Sequence, residues 1–278
     1  MERTVETGNL TSRDGTRLSY VLSPHPAARA VLLFVPGYAD HVGRYSHVFD
    51  WFVSRGYTCA GVDLRGHGRS GGHRGFVEHF GAYVDDLETA VNLLVERYPD
   101  QKLVLVGHSM GGLVVLTYLL RHPEGIEGAV LSSPFLGLAL EVPKVKELLG
   151  RVMSRLWPTL GLPSGLSGRD LTHDVAFAEA YDADPLVFKN ATARWFTEAM
   201  RAQGELLRYA GQIQTPTLML QAGADKVVDA ETSRQVYELI SATDKEWRSY
   251  DDLYHELFNE VEREQPLQDV VDWLGKHV

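Results

Sequence analysis

A serine flanked by glycines joins an apolar strand-like run to an apolar helix-like run, and no other feature constrains the fold as strongly. Residues 107–111, Gly-His-Ser-Met-Gly, follow the apolar run 103–106 and lead into the apolar run 112–116. Such a tight turn leaves no room for a Cβ beside the serine, so glycines are needed two positions before and after it. The turn pushes the hydroxyl into a cleft, which predicts that Ser109 is a nucleophile.

A second stretch fits the same pattern in a different context. Residues 68–72, Gly-Arg-Ser-Gly-Gly, lie inside the glycine-rich loop 66–75 and open no apolar helix. Because the context carries the evidence and the bare pattern does not, Ser109 is favoured over Ser70.

Composition excludes several classes of protein. The chain has 278 residues, of which 44% are hydrophobic, and a formal net charge of −10. Nucleic-acid binding depends on clustered Lys and Arg, so this charge argues against a nucleic-acid partner. No apolar run approaches the length of a membrane-spanning helix, and residues 1–4 lack a hydrophobic signal core. We therefore expect a cytoplasmic protein.

The residues that commonly bind metals do not form a recognisable site. Cys59 is the only cysteine, so neither an internal disulfide nor a cysteine-based metal site can form. It lies in a predicted buried strand, where we expect an inert thiol. His255-Glu256 begins like a zinc-binding helix, but Asn259 stands where the second histidine is required. We expect no metal.

Apolar runs typical of strands alternate with helical patterns along most of the chain. The predicted strands are 4–9, 16–22, 30–35, 57–62, 102–106, 128–132, 217–221 and 246–250. The predicted helices are 45–54, 80–97, 111–121, 230–241 and 258–276. The first two strands meet at an Asp-Gly turn and begin the sheet antiparallel. The remaining pattern indicates an α/β fold with an eight-stranded, mostly parallel sheet and helices on both faces.

The alternation stops over residues 134–214, which contain helices and loops but no convincing core strand. The predicted domains are therefore a core of residues 1–133 and 215–278 and an inserted unit of residues 134–214. Open α/β sheets bind ligands at their carboxyl edge, and the insertion follows a strand at that edge. We expect it to cover the site as a helical cap and to control substrate choice.

A serine hydroxyl needs a base, and the base needs a group that orients it. Asp225 follows the predicted strand 217–221, and His255 lies in the loop between the last strand and the last helix. Both belong at the same sheet edge as Ser109, in the chain order expected for a hydrolase triad. Asp229 is the rival carboxylate, although its place at a helix start suits an N-cap.

The charge that develops on the attacked carbonyl oxygen needs two fixed N–H donors. The residue after the nucleophile supplies one from its backbone, which is Met110. The second is expected from the loop after strand 30–35, with the Tyr38 backbone as the candidate and Ala39 as the alternative.

Three sets of residues carry a resemblance to a known family. They are residues 37–41 with 44–45, the loop 63–72, and the pair of stretches 107–112 and 254–260. In these the chain resembles the α/β-hydrolase superfamily, and more narrowly the monoacylglycerol lipase and lysophospholipase group of serine hydrolases. The resemblance implies the α/β-hydrolase fold and hydrolysis of single-chain lipid esters under a mobile lid, without a cofactor.

One position departs from the family. The family usually has histidine before the glycine of the oxyanion loop, whereas this chain has Pro36 before Gly37. Proline fixes its own φ and lacks an N–H, but the Tyr38 N–H stays available.

The resemblance implies a monoacylglycerol lipase that releases fatty acid and glycerol. A general carboxylesterase, a lysophospholipase, an aminopeptidase and a carbon-carbon bond hydrolase stay open, because all keep the same three side chains. An aminopeptidase would need a carboxylate for the substrate amino terminus, for which Glu179, Asp182 and Asp184 are candidates. A non-catalytic ligand receptor on the same scaffold would show a broken triad.

The insertion contains the candidate lipid contacts. We expect Phe135, Leu138, Met153 and Trp157 to bind substrate. Helical spacing also relates two sets of residues: an apolar stripe of Val145, Leu148, Leu149, Val152, Met153, Leu156 and Trp157, and a basic set of Lys144, Lys146, Arg151 and Arg155. One interpretation is a cap helix whose stripe packs on the core or lines an acyl tunnel. The other is transient contact with an anionic membrane surface.

Overall fold

A computed structural model describes the backbone of residues 4–139 and 144–278, and the side chains of all of these except 144–147. The strands are β1 (Glu6–Thr11), β2 (Arg17–Ser23), β3 (Val31–Val35), β4 (Thr58–Asp63), β5 (Leu103–His108), β6 (Gly128–Ser132), β7 (Gly161–Pro163), β8 (Asn190–Thr192), β9 (Thr217–Ala222) and β10 (Lys245–Tyr250). The helices are α1 (Ser46–Val53), α2 (Gly81–Arg97), α3 (Met110–Leu119), α4 (Lys144–Leu156), α5 (Gly168–Leu171), α6 (Val175–Ala183), α7 (Ala193–Tyr209), α8 (Ala230–Leu239) and α9 (Glu264–His277). None of the helices over these ranges has the length and apolarity needed to cross a bilayer.

Eight strands form one sheet in the order β1-β2-β4-β3-β5-β6-β9-β10. β2 runs antiparallel to both of its neighbours, and the remaining pairs are parallel. The predicted eight-stranded, mostly parallel sheet is therefore confirmed. The two short strands β7 and β8, both between β6 and β9 in the chain, pair with each other and not with this sheet.

Helices cover both faces of the sheet. Helices α2, α3, α7 and α8 contribute to the apolar cluster on one face, and α1 and α9 contribute to the cluster on the other. Every residue of β3, β4, β5, β6 and β9 is buried. Burial on both faces explains why these strands are almost continuously apolar and do not alternate.

The predicted last helix differs most from the observed one. A 3₁₀ turn over Leu257–Asn259 replaces its first part, and α9 begins at Glu264, whereas the other predicted bounds differ by at most two residues. Pro266 lies in the first turn of α9. N–H groups there make no hydrogen bond within the helix, so the absence of an N–H in proline costs nothing. The irregular stretch before it brings the buried Glu260 carboxylate to the backbone N–H groups of His173 and Tyr254.

Helix α4 contacts α7 through small and polar side chains. Ser154 Oγ lies 2.7 Å from Thr197 Oγ1, and the Arg194 guanidinium donates to the Ser154 carbonyl at 2.8 Å. The apolar residues Leu148, Leu149, Val152, Leu156 and Trp157 are instead between 43% and 77% exposed. The expectation that the stripe packs on the core is therefore wrong for these residues. The side chains of Lys144, Val145 and Lys146 lie outside the described set.

Candidate active site

The serine elbow forms where β5 passes into α3. Ser109 has φ 52° and ψ −120°, a sparsely populated conformation for a residue with a side chain. A Cβ at Gly107 would lie 2.7 Å from the Gly111 carbonyl oxygen, and one at Gly112 would lie 2.7 Å from Pro134 Cβ. Glycine is therefore required at these two positions because neighbouring chain segments approach too closely for a side chain. The predicted strand–turn–helix is confirmed.

The second glycine-serine stretch does not present its hydroxyl in this way. Ser70 Oγ donates to the Asp63 carbonyl oxygen and accepts from the Ser19 N–H at 2.8 Å. Ser70 is buried and joins the glycine-rich loop to the sheet.

The structure brings Asp225 and His255 together although 30 positions separate them. His255 Nδ1 lies 2.8 Å from Asp225 Oδ2, and both side chains are almost fully buried. The other carboxylate oxygen, Oδ1, accepts from the N–H groups of Val227 and Val228 at 2.8 and 3.0 Å. These contacts orient Asp225 towards the imidazole. The rival carboxylate, Asp229, caps the N-terminus of α8, as its position in the sequence indicates.

The charges of this pair perturb both titrations. Burial lowers the pKa of His255, but the adjacent Asp225 charge and its hydrogen bond outweigh burial, so the pKa is raised. Burial raises the pKa of Asp225, and the His255 charge with three hydrogen bonds lowers it further than burial raises it. Asp225 therefore stays ionised, and the pair can stabilise a protonated imidazole.

A second histidine lies beside the first. The ring centroid of His108, the residue before Ser109, is 4.9 Å from that of His255, so the imidazole of His255 lies next to the elbow. Burial, together with the His255 charge, lowers the pKa of His108 to about 4. His108 is therefore neutral at pH 7 and does not compete as a charged group.

The loop after β3 passes directly beside the serine. A Cβ at Gly37 would lie 3.2 Å from Ser109 Cβ, so Tyr38 follows at the point of closest approach. Ala39 has φ 60°, which turns the chain sharply after Tyr38. Met110 is the first residue of α3, where a backbone N–H has no partner inside the helix. The two predicted donor residues, Tyr38 and Met110, thus flank Ser109.

A buried ionic network next to His255 was missed by the sequence analysis. Arg44 donates to both carboxylate oxygens of Glu256, at 2.8 and 2.7 Å, and to Asp40 Oδ1 at 2.9 Å. Asp40 Oδ2 also accepts from the Tyr45 hydroxyl at 2.8 Å. Burial raises the pKa of Glu256, but the Arg44 charge outweighs it, so the pKa is lowered. The feature of the sequence that could have indicated this network is Glu256, a carboxylate directly after the candidate base in a loop predicted to reach the sheet edge.

Residues between β6 and β9 in the chain lie against the same part of the site. The Arg44 guanidinium lies 4.9 Å from the ring centroid of Tyr181, and His41 Nε2 lies 2.9 Å from Asp184 Oδ2. Asp182 forms a salt bridge with Lys189. The carboxylates of Asp182 and Asp184 therefore already have partners within the protein, and the remaining aminopeptidase candidate, Glu179, is exposed.

The four predicted substrate-binding residues lie in two places. Phe135 is buried and its N–H donates to the Ser109 carbonyl at 2.9 Å. Leu138 forms a β-bridge with Val228, in the loop that holds Asp225. Met153 is half-buried on α4, and Trp157, directly after α4, is 58% exposed.

Comparisons with known proteins agree with this architecture. The family profile of serine aminopeptidase S33 (Hydrolase_4) matches residues 26–262. A monoacylglycerol lipase of Mycolicibacterium smegmatis is 32% identical over 267 residues, which cover 95% of both chains. Phospholipase YtpA of Bacillus subtilis is 33% identical over 238 residues, covering 84% of this chain and 91% of that protein. The crystal structure of Paleococcus ferrophilus monoacylglycerol lipase has a TM-score of 0.81 at 27% identity and covers all of both chains.

The shared features extend well beyond the serine elbow. The matched region runs from just before β3 to just before α9, so it contains the elbow, the Asp225–His255 pair and all residues between β6 and β9. The chain therefore belongs to the serine aminopeptidase S33 family and has the α/β-hydrolase fold.

Proposed function

We propose that the protein hydrolyses monoacylglycerols to a fatty acid and glycerol through an acyl-enzyme on Ser109. The observation that carries the proposal is the buried Asp225–His255 pair beside the Ser109 elbow. Similarity to a monoacylglycerol lipase over 95% of both chains supports the choice of substrate.

In the proposed reaction His255 acts as base and then as acid. With its Nδ1–H donated to Asp225, the imidazole has Nε2 available to take the Ser109 proton as Oγ attacks the ester carbonyl. The protonated imidazole then gives that proton to the departing glycerol oxygen. Water, deprotonated by the same nitrogen, releases the fatty acid and regenerates Ser109. Asp225 stays ionised and stabilises the imidazolium in both halves.

The backbone N–H groups of Tyr38 and Met110 are the proposed donors to the oxyanion. The closeness of Gly37 to Ser109 and the position of Met110 at the start of α3 support this assignment. Fixed N–H dipoles at this point stabilise negative charge that develops only as the carbonyl is attacked.

Residues 134–214 are proposed to form the cap, with residues 1–133 and 215–278 as the core. The contacts of Tyr181 and Asp184 with the oxyanion-loop region support a cover over the site. Phe135 and Leu138 are proposed to contact the acyl chain near the ester. Met153 and Trp157 would contact it further out.

The cap is also proposed to touch an anionic lipid surface through α4. The exposed apolar residues of α4 and the exposed Arg151 and Arg155 support this, because apolar insertion and basic attraction act together at anionic interfaces. In flotation with anionic vesicles, Arg151→Gln/Arg155→Gln should bind more weakly than the parent protein. Arg13→Gln/Arg248→Gln, which removes two other exposed charges outside the proposed cap, is the control. Equal binding by all three proteins contradicts the contact.

The proposed activity is tested by a substrate panel. Initial rates on a monoacylglycerol, a lysophospholipid, p-nitrophenyl esters and an aminoacyl amide are compared for the parent protein and Ser109→Ala. The expected result is the highest kcat/KM on the monoacylglycerol and loss of ester hydrolysis in Ser109→Ala. A preference for the lysophospholipid would favour a phospholipase such as the Bacillus subtilis relative, and a preference for the amide would favour an aminopeptidase. Either result overturns the proposal.

A further inference from the structure

We propose that Trp195, in the first turn of α7, is a positioning residue that holds both oxyanion donors in place. The inference rests on the proposed function, in which the Tyr38 and Met110 backbones bind the oxyanion. It assigns the cap a part in catalysis in addition to covering the site.

A single indole contacts the side chains of both donor residues. Trp195 Nε1 donates to Met110 Sδ at 3.2 Å. The face of the same ring lies against Tyr38, with centroids 3.7 Å apart and planes inclined by 30°. Trp195 is only 6% exposed and Met110 is fully buried, so solvent does not compete for these contacts. A displacement of the indole would therefore disturb both donors together.

Tyr38 is held by further contacts from the same part of the chain. Its hydroxyl lies 3.0 Å from the Asn190 carbonyl oxygen and 3.1 Å from that of Gly75. The ring of Phe188 meets it edge-on at 5.2 Å. Three contacts from residues 188–195 thus surround the side chain of one oxyanion residue.

The position of Trp195 is itself anchored to the core. Thr192 caps α7 by accepting from the Trp195 N–H, and its hydroxyl donates to the Gly75 carbonyl at 2.6 Å. The start of α7 is therefore tied to the glycine-rich loop, and the indole projects from a fixed point. The ring of Phe135, whose N–H donates to the Ser109 carbonyl, is nearly parallel to the indole, with centroids 6.0 Å apart.

The backbone around the donors needs such support. Ala39 and Ser109 both adopt positive φ, which persists only where neighbouring groups hold the chain in place. Oxyanion donors act within a narrow range of distances from the reacting oxygen, so a small displacement lowers the rate. A loss of packing at Trp195 should reduce stabilisation of the transition state more than binding of the substrate.

The test compares three variants of neighbouring aromatic residues. Trp195→Leu removes the ring, and Trp195→Phe keeps a ring but removes the N–H donor to Met110 Sδ. Phe196→Leu is the matched control on the same helix, where the phenyl ring faces Gly150 of α4. Each variant is measured for kcat, KM, affinity for a trifluoromethyl ketone that mimics the tetrahedral intermediate, and melting temperature.

We expect Trp195→Leu to lower kcat about 10- to 100-fold and to lower the affinity for the ketone by a similar factor. The reason is that a displacement of reacting groups by about 1 Å lowers the rate about 100-fold. KM should change less than about threefold, since ground-state binding does not use the oxyanion donors. Trp195→Phe should recover part of the loss, and Phe196→Leu should stay close to the parent enzyme. If Trp195→Leu does not fold, Trp195→Phe alone still carries the test.

Two results would overturn the inference. One is a change in KM with kcat and ketone affinity unaltered, which would make Trp195 a substrate contact. The other is equal kcat losses in the Trp195 and Phe196 variants, which would make the effect one of general packing. Failure of the proposed function is distinguished by Ser109→Ala: if that variant still hydrolyses the ester, the triad itself is wrong, whatever Trp195 does.

Discussion

Replacing Glu256 by glutamine removes a buried charge that has several partners. The carboxylate accepts two hydrogen bonds from Arg44 and one from Asn259 Nδ2 at 2.7 Å, and the side chain is only 5% exposed. The amide of glutamine keeps one acceptor oxygen and turns an NH₂ group towards these donors. Arg44 keeps its contact with Asp40, so its charge stays partly balanced.

The cost of Glu256→Gln follows from these partners. Breaking a buried ion pair by removing one partner typically costs about 3–5 kcal/mol. Because Asp40 and the amide oxygen still accept hydrogen bonds from Arg44, we expect a smaller loss of about 2–4 kcal/mol at pH 7. For a chain of 278 residues that corresponds to a fall in Tm of about 3–7 °C.

Chemical unfolding at several pH values measures the effect. The pKa of Glu256 is lowered in the folded state, so its ionised form stabilises the fold above the ordinary glutamate pKa of about 4.5. That stabilisation is lost as the pH falls through the lowered folded-state value. The difference in unfolding free energy between the parent and Glu256→Gln should therefore be constant around neutrality and shrink in acid.

A matched control separates this network from surface charge. Glu238→Gln removes a 62% exposed carboxylate that pairs with Arg234 four positions earlier, and should cost less than about 0.5 kcal/mol. A Glu256→Gln loss as small as that of Glu238→Gln, or a loss that does not depend on pH in acid, would contradict a stabilising role for the buried Glu256 charge.

Two further substitutions test the site and the elbow. Because His255 must be neutral to act as base, the acid limb of kcat/KM should lie above its ordinary pKa of about 6.5. Asp225→Asn should move that limb to lower pH and reduce kcat on the order of 10⁴-fold, as pH–rate profiles would reveal, and an unmoved limb would contradict the assignment. Gly111→Ala should lose more than about 2 kcal/mol in urea unfolding, because a Cβ there collides with the Val35 carbonyl oxygen. At Gly204, inside α7, an added Cβ would meet nothing within 4 Å apart from the backbone of its own helix. Gly204→Ala should therefore gain up to about 1 kcal/mol, and equal effects of the two substitutions would contradict the packing explanation.

Local patterns predicted the sheet, the turn at Ser109 and the loops that bring Asp225 and His255 together. The buried parallel strands are almost continuously apolar, and the strand–turn–helix around Ser109 requires glycines that are visible in the sequence. Asp225 and His255 follow the last two strands, so the common carboxyl edge of a parallel sheet was enough to bring them together.

Contacts between distant residues could not be predicted in the same way. Arg44 and Glu256 are 212 positions apart, and the sequence around either residue does not indicate that the other is its partner. In the sequence Trp195 is one apolar residue of an amphipathic helix, and its contact with Met110 depends on how α7 packs against α3.

Helix α4 illustrates the same limit. Its amphipathic pattern predicted a helix but not which side faces the protein, because Ser154 and Gly150 suit close approach to α7 while the apolar side is left exposed.

The most direct test of the central claim is the site of covalent labelling by a fluorophosphonate. The parent protein, Asp225→Asn and His255→Ala are each incubated with the probe, and the modified peptide is identified by mass spectrometry. We expect one rapid adduct, on Ser109, that forms far more slowly in both variants. An adduct on another residue, or labelling of Ser109 at an unchanged rate without His255, would contradict it.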